Sequence, residues 1–266
     1  MYGLIGFFDI LGYQNLLENN LVSELVEEIL ETINTMPEEV IKIFIEEREG
    51  ASERQILGKE MGLALKHLVF SDTIVFTLAY PGPDESNKEW NRLARKFMSI
   101  NSSSLTARMF RSGLPTRGVL HEGDFVTKGM CIAGKGMVEA YQLCESLNLS
   151  GIVCTQFLGN KIIEDQTIKK INNDSFYNFT YLTPKKDGSE IKLLHGNWVQ
   201  FLGIDALLEC QNDVESFVLK SFWAHQKDCA TSVDIKVRNT TKVVRKMLHN
   251  IRLDASIPKA NLSNET

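Results

Sequence analysis

An apolar run near the start of the chain, Ile5-Gly6-Phe7-Phe8-Asp9-Ile10-Leu11-Gly12-Tyr13, is the sequence feature that most constrains the fold. Its apolar residues are typical of a buried strand, and the glycine-aromatic pair at its end favours a turn. The run contains a single carboxylate, Asp9. Because an ionised group in a buried strand costs free energy unless something pairs with it, the run predicts a partner for Asp9, which could be a cation.

A second run of the same kind, Leu68-Val69-Phe70-Ser71-Asp72-Thr73-Ile74-Val75-Phe76, also contains a single carboxylate, Asp72. Two strands that each present one carboxylate could hold divalent cations between them, and oxygen ligands of this kind favour magnesium or manganese. Each aspartate also has a simpler interpretation. Asp9 could cap the helix that follows, and Asp72 could be an ordinary hairpin residue.

The periodicity of the apolar residues predicts a mixed structure. Apolar residues at spacings of three and four predict helices over Asn15–Asn34, Glu38–Glu49, Glu89–Ser112, Gly134–Leu147 and Phe157–Ile163. Short apolar runs bounded by turn residues predict two strands within Leu63–Leu78 and single strands over Leu114–Phe125 and Ile152–Thr155. This order favours an α+β sandwich, with helices on one face of a largely antiparallel sheet.

The second half of the chain has weaker patterns. Phe176–Thr183 and Ile191–Leu194 predict a hairpin, and Gly203–Cys210 and Val214–Leu248 are helical in pattern. Turn-forming or polar residues predict a loop over Gly50–Glu60, a turn at Pro81–Asp84 and a disordered tail over residues 256–266.

Charge and cysteine usage exclude several classes of function. A net charge of −5 argues against a general nucleic-acid-binding surface, which would normally be basic. Five cysteines without a C-x-x-C pair predict reduced thiols rather than a zinc site or a disulfide framework. No basic leader segment or apolar run of membrane-spanning length is visible. These features predict a cytoplasmic protein with no membrane or nucleic-acid partner.

Several motifs, in this order, resemble those of the class III nucleotidyl cyclases. Phe8–Tyr13 resembles the first-strand metal motif of that family, and Phe70-Ser71-Asp72 resembles the hairpin that carries its second metal carboxylate. Arg117–Gly123 resembles the strand whose arginine binds the triphosphate, and Gly134–Glu145 resembles the helix that follows at the dimer wall. The resemblance covers roughly the first 155 residues, which a single domain could accommodate.

The resemblance implies a ferredoxin-like catalytic sheet at residues 1–155 and a C-terminal extension of a hairpin and helices at residues 156–255. It also implies a homodimer with composite active sites. For individual residues, it implies the roles that the family assigns to the matching positions. Asp9 and Asp72 would bridge two Mn²⁺ or Mg²⁺ ions, with the Ile10 carbonyl completing one shell. The backbone amides of Leu11, Gly12 and Tyr13 would cradle the β- and γ-phosphates, which Arg117 would also hold. Without the family, Arg117 could equally be a surface salt-bridge arginine.

The sequence departs from the purine cyclases at the positions that read the base. Those positions hold Leu68 and Cys131, and a leucine cannot hydrogen-bond a base edge. The transition-state asparagine and arginine of the family fall near Val138 and Gln142. Metal motifs without purine readers resemble the pyrimidine cyclases of bacterial Pycsar anti-phage systems. That resemblance implies conversion of UTP, ahead of CTP, into a cyclic nucleotide that a downstream effector senses.

Three other functions stay open at the level of the sequence. The chain could be a catalytically degenerate cyclase-like module that binds a nucleotide or a partner, or it could be a purine cyclase after all. An unrelated nucleotidyltransferase with a palm-like sheet would use similar carboxylates. It would also need a second nucleotide or polymer substrate, for which this acidic chain shows no tract.

Overall fold

A computed structural model of the chain describes residues 1–20, 24–46, 60–81, 88–129, 131–168, 178–227 and 231–256. Apart from Glu60, Pro81 and Ser256, the predicted loop at Gly50–Glu60, the turn at Pro81–Asp84 and the tail lie outside these residues.

The described residues form nine strands and eight α-helices in a mixed order along the chain. The strands are β1 (Tyr2–Ile10), β2 (Lys66–Phe70), β3 (Thr73–Ala79), β4 (Thr116–Asp124), β5 (Val126–Lys128), β6 (Cys131–Ala133), β7 (Gly151–Cys154), β8 (Asn178–Pro184) and β9 (Glu190–Gly196). The α-helices are α1 (Tyr13–Asn19), α2 (Glu24–Glu46), α3 (Lys88–Arg111), α4 (Lys135–Ser146), α5 (Gln156–Ile168), α6 (Ile204–Asn212), α7 (Val214–Trp223) and α8 (Thr231–Ser256). Two 3₁₀ turns lie at Trp198–Phe201 and Ala224–Gln226.

A seven-stranded sheet in the order β2-β3-β1-β4-β7-β9-β8 forms the centre of the fold. Strands β1 to β4 pair antiparallel in the spatial order β4-β1-β3-β2, with helices crossing between β1 and β2 and between β3 and β4. This arrangement is the ferredoxin-like βαββαβ unit. The α+β class and the ferredoxin-like sheet predicted from the sequence are therefore confirmed. The parallel pairing of β4 with β7 extends the unit.

Apolar side chains cover both faces of the central strands. On one face, Leu4, Phe8 and Phe76 join a large core with residues of α1, α2, α3, α5 and the C-terminal helices. On the other face, Ile5 and Val75 join a smaller core with residues of α4. The placement of α4 corrects the expectation that the helices lie on one face. Strands that are apolar on both sides need cover on both sides.

Two predicted helices are divided differently in the structure. The pattern over Asn15–Asn34 belongs to α1 and α2, because α1 ends where the Asn20 side chain donates to the carbonyls of Leu16 at 2.9 Å and His225 at 2.7 Å. Helix α2 in turn continues through Pro37. The pattern over Val214–Leu248 is interrupted at His225, whose φ of 59° lies in the left-handed region.

The C-terminal third contributes to the same sheet as the N-terminal part. Strand β9 pairs antiparallel with β7, and β8 pairs antiparallel with β9. Apolar residues of α7 and α8 belong to the large core that also holds Phe8. The segment predicted as an extension therefore shares a sheet and a core with the strand that carries Asp9. No helix in the described ranges combines the length and apolar character needed to cross a membrane.

The ring of Phe8, next to Asp9, depends on a glycine in the neighbouring strand. A β-carbon added at Gly118 would lie 2.6 Å from Cδ1 of Phe8, and the ring is fully buried. We expect Gly118→Ala to lower the free energy of unfolding by about 1–3 kcal/mol, because a packed core cannot absorb an added methyl group. Chemical denaturation would measure the change.

A double-mutant cycle provides the control for this prediction. In a Phe8→Leu background the aromatic ring is absent, so Gly118→Ala should cost less than it does beside phenylalanine. An equal cost in both backgrounds would show that the Phe8 ring does not require the glycine.

Candidate functional site

A cavity of about 540 Å³ opens where the end of β1, the bend between β2 and β3 and the start of β4 meet the C-terminal helices. Its volume lies within the range of small-molecule sites. The lining contains every residue that the sequence singled out for chemistry, together with side chains that it did not. They are Phe7, Asp9, Ile10, Leu11, Gly12, Tyr13, Gln14, Asn15, Asp72, Thr73, Arg117, Tyr141, Glu145, Lys186, Phe222, Lys227, Val233 and Lys236.

The sheet register places Asp9 at this cavity. Asp9 is the penultimate residue of β1, and its partners across the sheet are Thr73 in β3 and Arg117 in β4. Because side chains alternate along a strand, Asp9 is on the same face as Ile5 and Phe7, the face that α4 covers. The strand that buries its apolar residues thus directs one carboxylate to the cavity at its carboxyl end.

Asp72 reaches the same cavity from the bend between β2 and β3. Ser71 adopts a left-handed conformation with φ of 55°, and the Asp72 carbonyl accepts a hydrogen bond of 2.9 Å from the Ile10 amide. The bend is thereby tied to the end of β1. The Asp72 side chain is half-buried and has no hydrogen bond or ion pair with any described residue. Asp9 and Asp72 thus both line this cavity, and the charge of Asp72 acts on Asp9.

The environment of Asp9 disfavours its charged form. Burial raises the pKa of the Asp9 carboxyl, Arg117 acts in the opposite direction, and the negative charges of Asp72 and Glu145 raise the pKa further. The two carboxylates therefore repel each other, and a bound cation would relieve that repulsion.

Arg117 is buried and bonded within the protein. Its Nη2 donates to Oδ2 of Asp9 at 2.7 Å and to the Glu145 carboxylate. Its Nη1 donates to the backbone carbonyls of Glu145 and Leu147 at 3.3 Å each. Its Nε is buried without a partner in the described part of the chain. In this conformation Arg117 orients Asp9 and fixes the end of α4. Its predicted contact with phosphates stays a prediction.

Glu145 was missed by the sequence reasoning. It lies in the last turn of α4, where its partly exposed carboxylate pairs with Arg117, which also pairs with Asp9. No spacing in the sequence relates α4 to β1, so only the packing of the helix on the sheet reveals the contact.

The turn after β1 has one engaged and two available amides. The Leu11 amide donates to the Pro115 carbonyl at 2.8 Å, so it is occupied in this structure. The amides of Gly12 and Tyr13 donate no hydrogen bond to any described residue. Gly12 has a φ of 79°, which an L side chain rarely adopts, and an added β-carbon would also lie 3.1 Å from the Lys227 side chain.

Three lysines from the C-terminal part of the chain line the cavity, and no sequence pattern had identified them as site residues. They are Lys186 beyond β8, Lys227 before α8 and Lys236 in α8. Lys227 is buried, and its ammonium donates to the carbonyls of Ser221 at 3.1 Å and of Gly113. Burial lowers the pKa of Lys227 to about 7. The N-terminal motifs and the C-terminal helices thus share one cavity.

The donors at the carboxylate wall suit a hard divalent cation. Asp9 and Asp72 supply carboxylate oxygens, and Ile10, which would offer its carbonyl, also lines the cavity. Among the described residues no cluster of three or more histidine, cysteine, aspartate or glutamate side chains could hold a metal. Magnesium is commonly bound by one or two carboxylates, with substrate phosphates and water completing the shell. The residues present fit that mode of binding.

Comparisons with known proteins give only distant matches. No family model and no curated protein matches the chain. Among solved structures, a bacterial light-regulated adenylyl cyclase aligns with a TM-score of 0.42 and 14% identity over 74% of this chain and 90% of its own. A second structure of a bacterial light-regulated adenylyl cyclase aligns with a TM-score of 0.42 and 12% identity, over 93% of this chain and 58% of its own. The guanylyl cyclase Cya2 aligns with a TM-score of 0.29 and 11% identity, over 73% of this chain and 92% of its own. Similarity this low does not assign a function to this chain.

Replacing Arg117 tests whether it neutralises Asp9. We expect Arg117→Met to lower the free energy of unfolding by about 3–5 kcal/mol at pH 7, because a buried carboxylate loses its partner. The pKa of Asp9 in the folded variant should rise further above its unfolded value. Stability contributed by its protonated form is then present at low pH and lost as the pH increases through the folded pKa. The destabilisation should therefore be smaller at pH 5 than at pH 7.

Denaturation of the variant at both pH values would measure this difference. Arg238→Met is the matched control, since Arg238 is exposed on α8, and it should change stability by no more than about 0.5 kcal/mol. An Arg117→Met effect as small as that of the control, or one independent of pH, would contradict the pairing.

Proposed function

We propose that the protein is a metal-dependent nucleotide cyclase. It converts a pyrimidine nucleoside triphosphate, UTP ahead of CTP, into the 3′,5′-cyclic nucleotide and pyrophosphate. The observation that carries the proposal is the pair of carboxylates, Asp9 and Asp72, in the lining of a cavity that also contains four basic side chains. A triphosphate with its metal ions combines the charges that such a cavity would bind.

Each residue of the wall has a role in this proposal. Cyclisation requires the ribose 3′-hydroxyl to attack the α-phosphorus in line while pyrophosphate leaves. When bound, two Mn²⁺ or Mg²⁺ ions would lower the pKa of that hydroxyl and neutralise charge on the phosphates. Asp9, Asp72 and the Ile10 carbonyl would hold the ions. Arg117 keeps Asp9 in place, and the amides of Gly12 and Tyr13 would donate to phosphate oxygens.

The choice of a pyrimidine base rests on the residues at the positions where purine cyclases read the base. Leu68 in β2 packs against the smaller core, and Cys131 is exposed in β6. Neither offers the lysine or aspartate chemistry that pairs with a purine edge, and a site that lacks such hydrogen bonds does not select a purine. Under the proposal, the product acts as a second messenger in anti-phage defence and is sensed by a downstream effector.

A homodimer with composite sites is part of the proposal. Val138 and Tyr141 are exposed on the outer side of α4, with about half of each side chain accessible, and Tyr141 also lines the cavity. These exposed side chains would be covered if a second copy packed along α4. That copy could then supply groups for the transition state.

A cyclase-like module that binds a nucleotide without turning it over is the second candidate. Val138 and Gln142, at the positions of the transition-state residues, are exposed and lie outside the lining of the cavity. Arg117 is also engaged within the protein. Calorimetry with triphosphate and metal separates the two functions, because binding without any product supports the module.

Incubation with each of the four nucleoside triphosphates plus Mn²⁺ tests the enzyme directly. We expect a cyclic product and pyrophosphate, with UTP giving the highest rate. Both purine triphosphates should give little product, because Leu68 and Cys131 occupy the positions where purine cyclases read the base. Chromatography and mass spectrometry would identify the product. If a folded dimer forms no cyclic nucleotide from any substrate, the enzyme proposal fails.

Substitution of Asp72 tests the carboxylate pair. Asp72→Ala should reduce kcat by at least a hundredfold, because loss of one of two metal carboxylates removes charge stabilisation worth several kcal/mol. The melting temperature should fall little, because the Asp72 side chain has no hydrogen bond or ion pair with described residues. Asp124→Ala, at the exposed end of β4, is the matched control and should retain activity within about twofold. Full activity of Asp72→Ala would rule out the two-carboxylate site.

A further inference from the structure

One lysine of α8 stands at the cavity with its charge uncompensated. Lys236 is half-buried and lines the same cavity as Asp9 and Asp72, although more than 160 residues separate it from either in sequence. Its side chain makes no hydrogen bond or ion pair with the described part of the chain. By contrast, Lys186 pairs with Glu145 at 3.4 Å and Lys227 donates to backbone carbonyls.

The electrostatic environment of Lys236 disfavours its charged form unless an anion binds next to it. Burial lowers the pKa of the Lys236 ammonium, and the positive charges of Arg117 and Lys186 lower it further. Asp9 and Glu145 act in the opposite direction with smaller effect. A half-buried ammonium facing two other cations is costly unless a negative group pairs with it.

The backbone of Lys236 is fixed relative to the sheet. The Thr240 hydroxyl donates to the Lys236 carbonyl at 2.7 Å and accepts from the Ser150 amide at 2.9 Å, immediately before β7. One turn away, the Asn239 side chain donates to the Asn148 carbonyl at 2.8 Å. These contacts hold the first turns of α8 against the loop that precedes β7. Lys236 is therefore presented to the cavity from a rigid element.

We propose that Lys236 is a substrate-binding residue that pairs with a terminal phosphate of the triphosphate. This inference rests on the function proposed above and adds a residue from the C-terminal helices of the same chain to the site. Lysine binds phosphate as a compact point charge on a flexible stem, so a lysine in the lining of the cavity that also contains the two aspartates suits this role. The metal ions would neutralise the phosphates near Asp9 and Asp72, and Lys236 would neutralise the far end.

The test uses binding, so it does not depend on turnover. The probes are inorganic tripolyphosphate and a 3′-deoxyuridine triphosphate that lacks the attacking hydroxyl, each titrated calorimetrically with Mg²⁺ into the full-length protein. Lys236→Met removes the charge but keeps the length of the side chain. Lys236→Arg restores a charge at the same position. Lys242→Met is the matched control, since Lys242 is exposed on the same helix and does not line the cavity.

We expect Lys236→Met to raise the Kd of both probes by roughly ten- to a hundredfold, as loss of a hydrogen bond to a charged group does. Lys236→Arg should recover most of the affinity, and Lys242→Met should match the wild type. The melting temperature of Lys236→Met without ligand should be equal to or higher than that of the wild type, because a repelled charge is removed. That result separates lost binding from lost folding.

The outcomes distinguish this inference from the proposed function. If the wild type forms a cyclic nucleotide but Lys236→Met binds both probes as tightly as the wild type does, the inference fails and the cyclase stands. If Lys236→Met loses affinity while no cyclic product forms from any triphosphate, the phosphate site stands and the cyclase fails. A wild type that binds neither probe overturns both.

Discussion

The pairing of a buried arginine with a carboxylate at the end of the central strand is the interaction on which the site depends. Strand β1 is apolar on both faces, so Asp9 can be charged there only with a partner nearby. The register of β4 supplies Arg117 directly opposite, and Glu145 of α4 bonds to the same Arg117 nitrogen as Asp9 does. Helix α4 therefore does more than cover the sheet, because Glu145 in its last turn shares the Arg117 guanidinium with Asp9 and its negative charge raises the pKa of Asp9.

The cavity combines negative and positive walls that come from distant parts of the chain. Asp9 and Asp72 come from the end of β1 and the β2–β3 bend, whereas Lys227 precedes α8 and Lys236 lies in it. In the absence of a ligand, the carboxylates repel each other and Lys236 faces other cations. A metal-bound polyphosphate would relieve both repulsions at once. The residues whose charges repel each other in the unliganded cavity are thus the ones that would bind the metal-bound polyphosphate.

Local patterns were sufficient to predict much of the fold. The hairpin with Ser71-Asp72 at its bend, the long helix α3 and the strand that carries Arg117 were predicted correctly, since apolar period and turn chemistry are encoded over a few residues. The helix boundaries near Asn20 and His225 were wrong, because both breaks depend on contacts between α1 and the 3₁₀ turn at Ala224–Gln226. The aspartates were identified because they interrupt apolar runs. Glu145 and the lysines could not be, because only tertiary packing brings them to the cavity.

The central claim is that the Asp9 and Asp72 carboxylates share divalent cations beside a bound triphosphate. A crystal structure of the protein with Mn²⁺ and a 3′-deoxyuridine triphosphate tests it most directly, because manganese can be located by its anomalous scattering. The account predicts manganese bound to oxygens of both aspartates at about 2.0–2.2 Å, the metal–oxygen distance of small hard divalent cations, with phosphate oxygens completing the shell. Triphosphate bound elsewhere, or manganese coordinated without either aspartate, would contradict it.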